Sequence, residues 1–332
     1  MDQRMNGDPR PRAHSSGLQP FFLEATRGRL FCLLHEPAVD ESRDSGPHHG
    51  SQPTGVRPER GAASQHAPVL FLPPFAEEMN KARRMISLQA RALAAAGHRV
   101  LIPDLYGTGD SDGDFADASW ETWIQDLTLL RRWLQERDGL APCFWSLRTG
   151  ALLGAELTAT EAPPQWLLWQ PVVNGQQFFT QFLRLKVAAE MTGTGPPVDT
   201  RALRAELSAG SSVEIAGYEV PGPLAVALDS KTLSATTLAR VPRVGWFEVT
   251  TGTTPSLSPV AKKVIDECRA HGASDASHGQ VASSDAQVID AQAVQGQPFW
   301  STPEITLAPE LLEASSRFLA GASTAASSGF AS

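Results

Sequence analysis

The stretch from Cys143 to Leu153, CFWSLRTGALL, constrains the fold of this chain more than any other. Its first residues predict a short buried strand, and Gly150 opens a helix of small and apolar residues. A sharp turn lies between them at Arg148, with Ser146 two residues before it and Gly150 two residues after it. Small residues at these two positions allow the strand and helix backbones to approach closely. The stretch therefore predicts a strand, a tight turn and a helix.

Predicted strands and helices alternate on both sides of this turn, from residue 68 to residue 169. Apolar runs predict buried strands at 68–72, 100–104 and 164–169. A hairpin with a turn at Arg27-Gly28 precedes them. Such alternation predicts a mostly parallel central sheet with helices on both faces, which is an α/β fold.

The pattern also divides the chain into segments. After the sixth strand the alternation breaks down, which predicts a cap inserted into the α/β core. Two low-complexity stretches, 38–66 and 272–286, predict disordered loops within the core. We expect a disordered tail at 1–19, the first part of the core at 20–175, the cap at 176–240, the second part of the core at 241–320 and a tail at 321–332.

Composition excludes several classes of partner. The net charge of −8 argues against nucleic acid. The three cysteines, Cys32, Cys143 and Cys268, are too few and too widely spaced for a disulfide framework. The polar N-terminus does not resemble a signal peptide, and no apolar run is long enough to span a membrane. We expect a cytoplasmic protein with no membrane span and no cofactor.

Several motifs resemble the α/β-hydrolase superfamily over about residues 20–320. The sequence Asp104–Ser111, DLYGTGDS, is similar to the D-x-x-G-x-G-x-S loop after the fourth strand of that superfamily. The SLRTG sequence resembles the nucleophile elbow, G-x-S-x-G, with serine in place of the first glycine and arginine in place of the nucleophile. The resemblance implies an α/β-hydrolase fold with a cap.

A narrower resemblance rests on four separated motifs. They are PPFAEEMNKARRM, SLRTG, GYEVPGPL and QPFW, which resemble the hydrolase 2 family associated with the exosortase A system of exopolysaccharide-producing bacteria. The resemblance implies hydrolysis or acyl transfer on a small ester or thioester in that setting.

The residues at the expected catalytic positions depart from this chemistry. A serine mechanism needs a nucleophile, a histidine and a carboxylate. The nucleophile position holds Arg148, which stays protonated and has no acceptor. Ser146 is a weak alternative nucleophile, because it lacks small residues on both sides. Neither the histidine expected after the last strand, in 295–300, nor the acid expected after the seventh strand, in 250–254, is present. We therefore expect the triad to be lost.

Arg148 and the two glutamates near it can act in three ways. Glu77 or Glu78 can pair with it as a structural clamp, since a buried arginine needs a partner. Arg148 can instead bind an anionic ligand beneath the cap, at a strand edge and helix N-terminus that favour negative charge. In the third role, the two glutamates act as general bases on a water.

We expect further residues to contribute to the site. Phe75, Thr149 and Asp104 are predicted binding residues, together with Arg148. Asp104 is expected to serve mainly as an acceptor for its glycine-rich turn. The expected ligand is a small acidic or acyl-bearing molecule.

Overall fold

A computed structural model describes residues 17–37, 66–191, 199–277 and 287–321, with the side chains of 272–277 left out. Most of the predicted tails at 1–19 and 321–332, and of the predicted loops at 38–66 and 272–286, lies outside these residues. Two boundaries were wrong. The first strand begins at Leu18, inside the predicted tail, because the hairpin pairing extends to Leu18 and His35. The helix from Pro259 continues to Ser277, because adding residues to a formed helix costs little.

The core is an eight-stranded sheet in the order β1-β2-β4-β3-β5-β6-β9-β10. The hairpin strand β2 pairs antiparallel with β1 and with β4, and the remaining pairs are parallel. The strands are β1 Leu18–Glu24, β2 Arg29–His35, β3 Val69–Leu72, β4 Val100–Pro103, β5 Cys143–Leu147, β6 Gln165–Trp169, β9 Arg243–Thr250 and β10 Val288–Gln295. The predicted mostly parallel sheet is confirmed.

Helices cover both faces of the sheet. They are α1 Glu77–Ala95, α2 Trp120–Asp138, α3 Gly150–Thr160, α8 Pro259–Ser277 and α9 Pro309–Ala320. Alternate side chains of each strand point to opposite faces. Leu70 and Leu72 therefore join the apolar layer beneath α2, α3 and α8, whereas Val69 and Phe71 join the layer beneath α1 and α9.

The segment between β6 and β9 adds no strand to the central sheet. It consists of α4 Gly175–Glu190, α5 Thr200–Ser208, β7 Ser212–Ile215, β8 Tyr218–Pro221, α6 Gly222–Asp229 and α7 Ala235–Ala239. The strands β7 and β8 form a separate hairpin. Phe178 of α4 and Tyr218 of β8 reach the core, where they contact Phe75 and Phe115 respectively. This segment, predicted as a cap, thus lies against the loop that precedes α1.

Local signals in the sequence fix the helix that precedes the elbow strand. The Ser119 hydroxyl accepts a hydrogen bond from the Thr122 N–H at 3.1 Å and caps α2. Gly139, with φ of 72°, ends the helix in the left-handed region. Serine and glycine are among the residues that commonly begin and end helices, so the local sequence accounts for both ends.

The glycine-rich loop after β4 is held by side chains of α2. Asp126 accepts a hydrogen bond from the Tyr106 N–H, and the Trp123 indole donates to the Tyr106 carbonyl. Burial raises the pKa of Asp126 to about 6, opposed in part by that N–H. Asp104 accepts from the Asp110 N–H at 3.0 Å, which agrees with its predicted role in the turn.

None of the described helices combines the length and apolar composition that a membrane crossing requires. The three cysteines are buried and unpaired. The cytoplasmic location stays a prediction.

The turn after β5 brings two backbones into close contact. A Cβ atom on Gly150 would lie 2.1 Å from the Leu72 carbonyl oxygen, closer than real Cβ atoms approach. Only glycine therefore lets α3 begin beside the end of β3. The residue at the apex, Arg148, takes φ of 54°, a conformation that is strained for a side chain other than glycine.

Gly150→Ala should destabilise the fold by about 3 kcal/mol, because the added methyl group meets backbone rather than a movable side chain. Gly139→Ala is the matched control at another helix end, where a Cβ meets nothing within 4 Å. Its cost should be about 1 kcal/mol, from the left-handed conformation alone. Urea denaturation measures both, and equal losses would contradict the close approach at the elbow.

Candidate functional site

The side chain of Arg148 is held on three sides. Its guanidinium carbon lies 5.8 Å from the ring centre of Phe178 and 5.4 Å from that of Trp300. Its Nε donates to Oε1 of Glu78 at 3.0 Å. The side chain is 18% exposed. Cation–π contacts and an ion pair therefore orient the guanidinium.

Glu78 is the partner in this clamp, and Glu77 is not. Burial raises the pKa of Glu78, while the charge of Arg148 acts in the opposite direction. Its Oε2 atom is buried and has no hydrogen-bond partner among the described residues. Glu77 accepts a long hydrogen bond, 3.5 Å, from the hydroxyl of Tyr218. The two glutamates expected to act as general bases thus have different partners: Glu78 pairs with Arg148, and Glu77 accepts from Tyr218.

Ser146 is wrongly placed for a nucleophile. Its side chain is fully buried, and its hydroxyl accepts a hydrogen bond from the Trp166 indole at 2.9 Å. Side chains alternate along β5, so Ser146 points to the same face as Phe144, into the apolar layer beneath α2 and α3. The weak alternative nucleophile is therefore corrected to a core residue.

Trp300 was missed as a site residue. It follows β10, where the resemblance expects a histidine, and its ring faces Arg148. The available signal was the QPFW motif, whose aromatic residues come directly after the last strand. In the described ranges, no histidine lines either of the cavities beside the elbow.

A cavity of about 500 Å³ lies beside the elbow. The predicted binding residues Phe75, Asp104 and Thr149 line it, with aromatic side chains of α2. The backbone N–H groups of Phe75 and Thr149 have no acceptor within the described part of the chain. In α/β-hydrolases, the N–H groups at these two positions stabilise the oxyanion.

One end of the larger cavity is lined by polar side chains, some of which were not predicted from the sequence to belong to the site. Arg83 forms an ion pair with Asp104 at 3.3 Å, and Asn80 donates to the Tyr218 hydroxyl at 2.9 Å. All four residues line the cavity. The available signal was the spacing of Asn80 and Arg83, which places them on one face of α1.

Arg148 does not line that cavity. It lines a second one, of about 300 Å³, together with Gln170, Phe178 and Glu248. Glu248 is buried and accepts hydrogen bonds from the N–H and hydroxyl of Ser258. The guanidinium, which contacts Glu78 and Trp300, thus lines a different cavity from the one that Phe75, Thr149 and Asp104 line. That all four residues bind one ligand stays a prediction.

The described residues contain no group of three or more His, Cys, Asp or Glu side chains placed to hold a metal ion.

The fold is that of the α/β hydrolases. Est1E from Butyrivibrio proteoclasticus, solved with ferulic acid bound, is similar with a TM-score of 0.52 and 13% identity, over 90% of this chain and 97% of that one. A thermostable carboxyl esterase from Bacillus coagulans is similar with a TM-score of 0.51 and 11% identity, over 92% and 98%. No protein-family model and no curated protein sequence matches the chain. At such identities the likeness establishes the fold alone.

A double-mutant cycle measures the clamp. Glu78→Gln or Arg148→Met should each destabilise the protein by about 2 kcal/mol, because each leaves a largely buried charge without its counter-charge. The double variant should lose less than the sum, with a coupling of about 1–2 kcal/mol.

The control pair is Lys263 and Glu267 on α8, which are 76% and 52% exposed and 3.9 Å apart. Their coupling should stay below about 0.5 kcal/mol. Additive effects of Glu78→Gln and Arg148→Met in urea denaturation would show that the clamp contributes nothing.

Proposed function

We propose that the protein binds a small acidic ligand at Arg148 and does not hydrolyse esters by a serine mechanism. The proposal rests on the guanidinium of Arg148. Its orientation is fixed by its neighbours, and some of its N–H donors have no acceptor among the described residues. A guanidinium has five N–H donors. Among the described residues, Glu78 accepts from Nε, and the Gln170 carbonyl accepts from Nη1 at a marginal 3.5 Å. The outer edge retains donors for a ligand carboxylate.

The surroundings of Arg148 support binding rather than a purely structural clamp. Phe178 of α4 and Trp300 fix the plane of the guanidinium before a ligand arrives, which reduces the entropy lost on binding. The cavity that Arg148 lines is also lined by the amide side chains of Gln170, Asn174 and Gln177. A planar fork in a polar cavity suits two parallel hydrogen bonds to a carboxylate.

The residues at the catalytic positions support the loss of the serine triad. A guanidinium has no lone pair with which to attack a carbonyl. Trp300, which has no basic nitrogen, lies against the elbow where a histidine would have to act. Thr250–Thr254 supplies no carboxylate after β9.

The second candidate function is an enzyme that hydrolyses, or transfers the acyl group of, a small ester or thioester. The larger cavity favours it, because the N–H groups of Phe75 and Thr149 remain free of described acceptors. The four motifs that resemble the exosortase-associated hydrolase 2 family supply the setting, an exopolysaccharide or exported-protein system. For both candidate functions, the assignment to an exopolysaccharide or exported-protein system rests only on the four motifs.

Arg148→Ala should weaken the binding of propionate or succinate at least about tenfold, because the charged fork is lost. Glu78→Gln should strengthen it several-fold, since a competing negative charge beside the guanidinium is removed and an acceptor is kept. Arg83→Ala is the matched control, because Arg83 lines the other cavity. Isothermal titration calorimetry measures all four proteins, and unchanged affinity in Arg148→Ala would refute the proposal.

A fluorophosphonate probe should not label the purified protein, and p-nitrophenyl esters should be hydrolysed no faster than in protein-free buffer. Thr149→Val and Ser146→Ala serve as controls for the two hydroxyls nearest the elbow. Labelling or ester turnover that either substitution removes would favour the enzyme and overturn the non-catalytic assignment.

A further inference from the structure

The cavity at Arg148 continues along the seam between α4 and α8. A neighbouring cavity of about 420 Å³ shares Val173, Asn174, Gln177 and Val260 with it. Together the two cavities form one groove, from Arg148 at its inner end to His271 at its outer end. We refer to it as the seam groove. It is separate from the larger cavity lined by Phe75 and Thr149.

Two helices form the walls of the seam groove. Its lining residues on α8 include Val260, Val264 and His271, whose spacing places them on one face of that helix. From Val260 to His271 the helix rises about 16 Å. The facing wall includes Gln177 and Gln181 of α4. The groove is therefore long enough for an extended chain of about five residues.

Four carboxamide side chains line the inner part of the seam groove. Gln170 accepts from the Val249 N–H, and Asn174 accepts from the Gln177 N–H. These bonds use the carbonyl oxygens and leave the two NH₂ groups. The side chains of Gln177 and Gln181 have no partner in the described part of the chain. A primary amide offers both a donor and an acceptor, as a peptide group does.

The inner and outer parts of the seam groove differ in exposure and in charge. Arg148 lies at the inner end and is only 18% exposed, so the end of a narrow chain reaches it more easily than a side branch does. Val260 lines both parts of the groove and is 50% exposed, an apolar surface available to an apolar side chain. The outer end carries Lys263, Glu267 and His271. A carboxylate at one end of the ligand thus meets Arg148.

We infer that the seam groove binds the C-terminal segment of a peptide, with its terminal carboxylate on Arg148 and its amide groups on the carboxamides. This inference rests on the proposed function, since it names the acidic ligand of Arg148. The ligand is an extended chain of about five residues, as set by the length of the groove. Apolar side chains near its middle pack on Val260.

The test uses an equimolar library of random pentapeptides with free C-terminal carboxylates, and the same library with C-terminal amides. The peptides retained by the immobilised protein are quantified by mass spectrometry. The free acids should be retained at least about tenfold more than the amides, because the amides lack the charge that Arg148 recognises. Val260→Trp should reduce retention of the acids by a similar factor.

Val226→Trp is the matched control, because Val226 is 51% exposed on α6, outside the groove. Equal retention of acids and amides, or full retention by Val260→Trp, would overturn the peptide inference. If propionate still binds through Arg148 in that case, the proposed function stands and its ligand is a shorter or non-peptide acid. If neither propionate nor the library depends on Arg148, both proposals fail.

Discussion

The close approach of α3 to the end of β3 determines the geometry of the whole site. Because Gly150 has no side chain, the helix begins against the Leu72 carbonyl, and the connecting turn has no room to relax. The turn therefore holds Arg148 at a positive φ, at the C-terminal edge of the parallel strands. At this edge the strands end in loops whose side chains converge, which is where ligands bind in open α/β sheets.

The positive charge of Arg148 at this edge of the sheet requires particular neighbours. A largely buried guanidinium without a counter-charge is costly. Glu78 provides that charge from the first turn of α1, while Phe178 and Trp300 provide ring faces. These three partners come from α1, α4 and the loop after β10. Arg148 therefore ties the core helix, the segment predicted as a cap and the C-terminal part of the chain to one point.

The sequence predicted what depends on local patterns. The hairpin and the alternation of strands and helices each rest on a few neighbouring residues, and the structure confirms them. The burial of Ser146 was also predictable, since the two-residue period of β5 places it on the same face as Phe144. The direction of the Arg148 side chain was not, because residues 30 to 152 positions away in the sequence decide it. The assignment of the binding residues to two cavities follows from that direction.

The environment of an arginine can change which anion it meets, but it cannot make the guanidinium a nucleophile. Catalysis in the larger cavity would need another base. Three largely buried carboxylates lie near the elbow in the described part of the chain, and all are engaged. Glu78 pairs with Arg148, Asp104 accepts from Arg83 and the Asp110 N–H, and Glu248 accepts from Ser258. Each of them holds a neighbouring side chain or backbone group in place. Among the described residues, the carboxylates beside the elbow that could move a proton are thus the ones that hold these neighbouring groups.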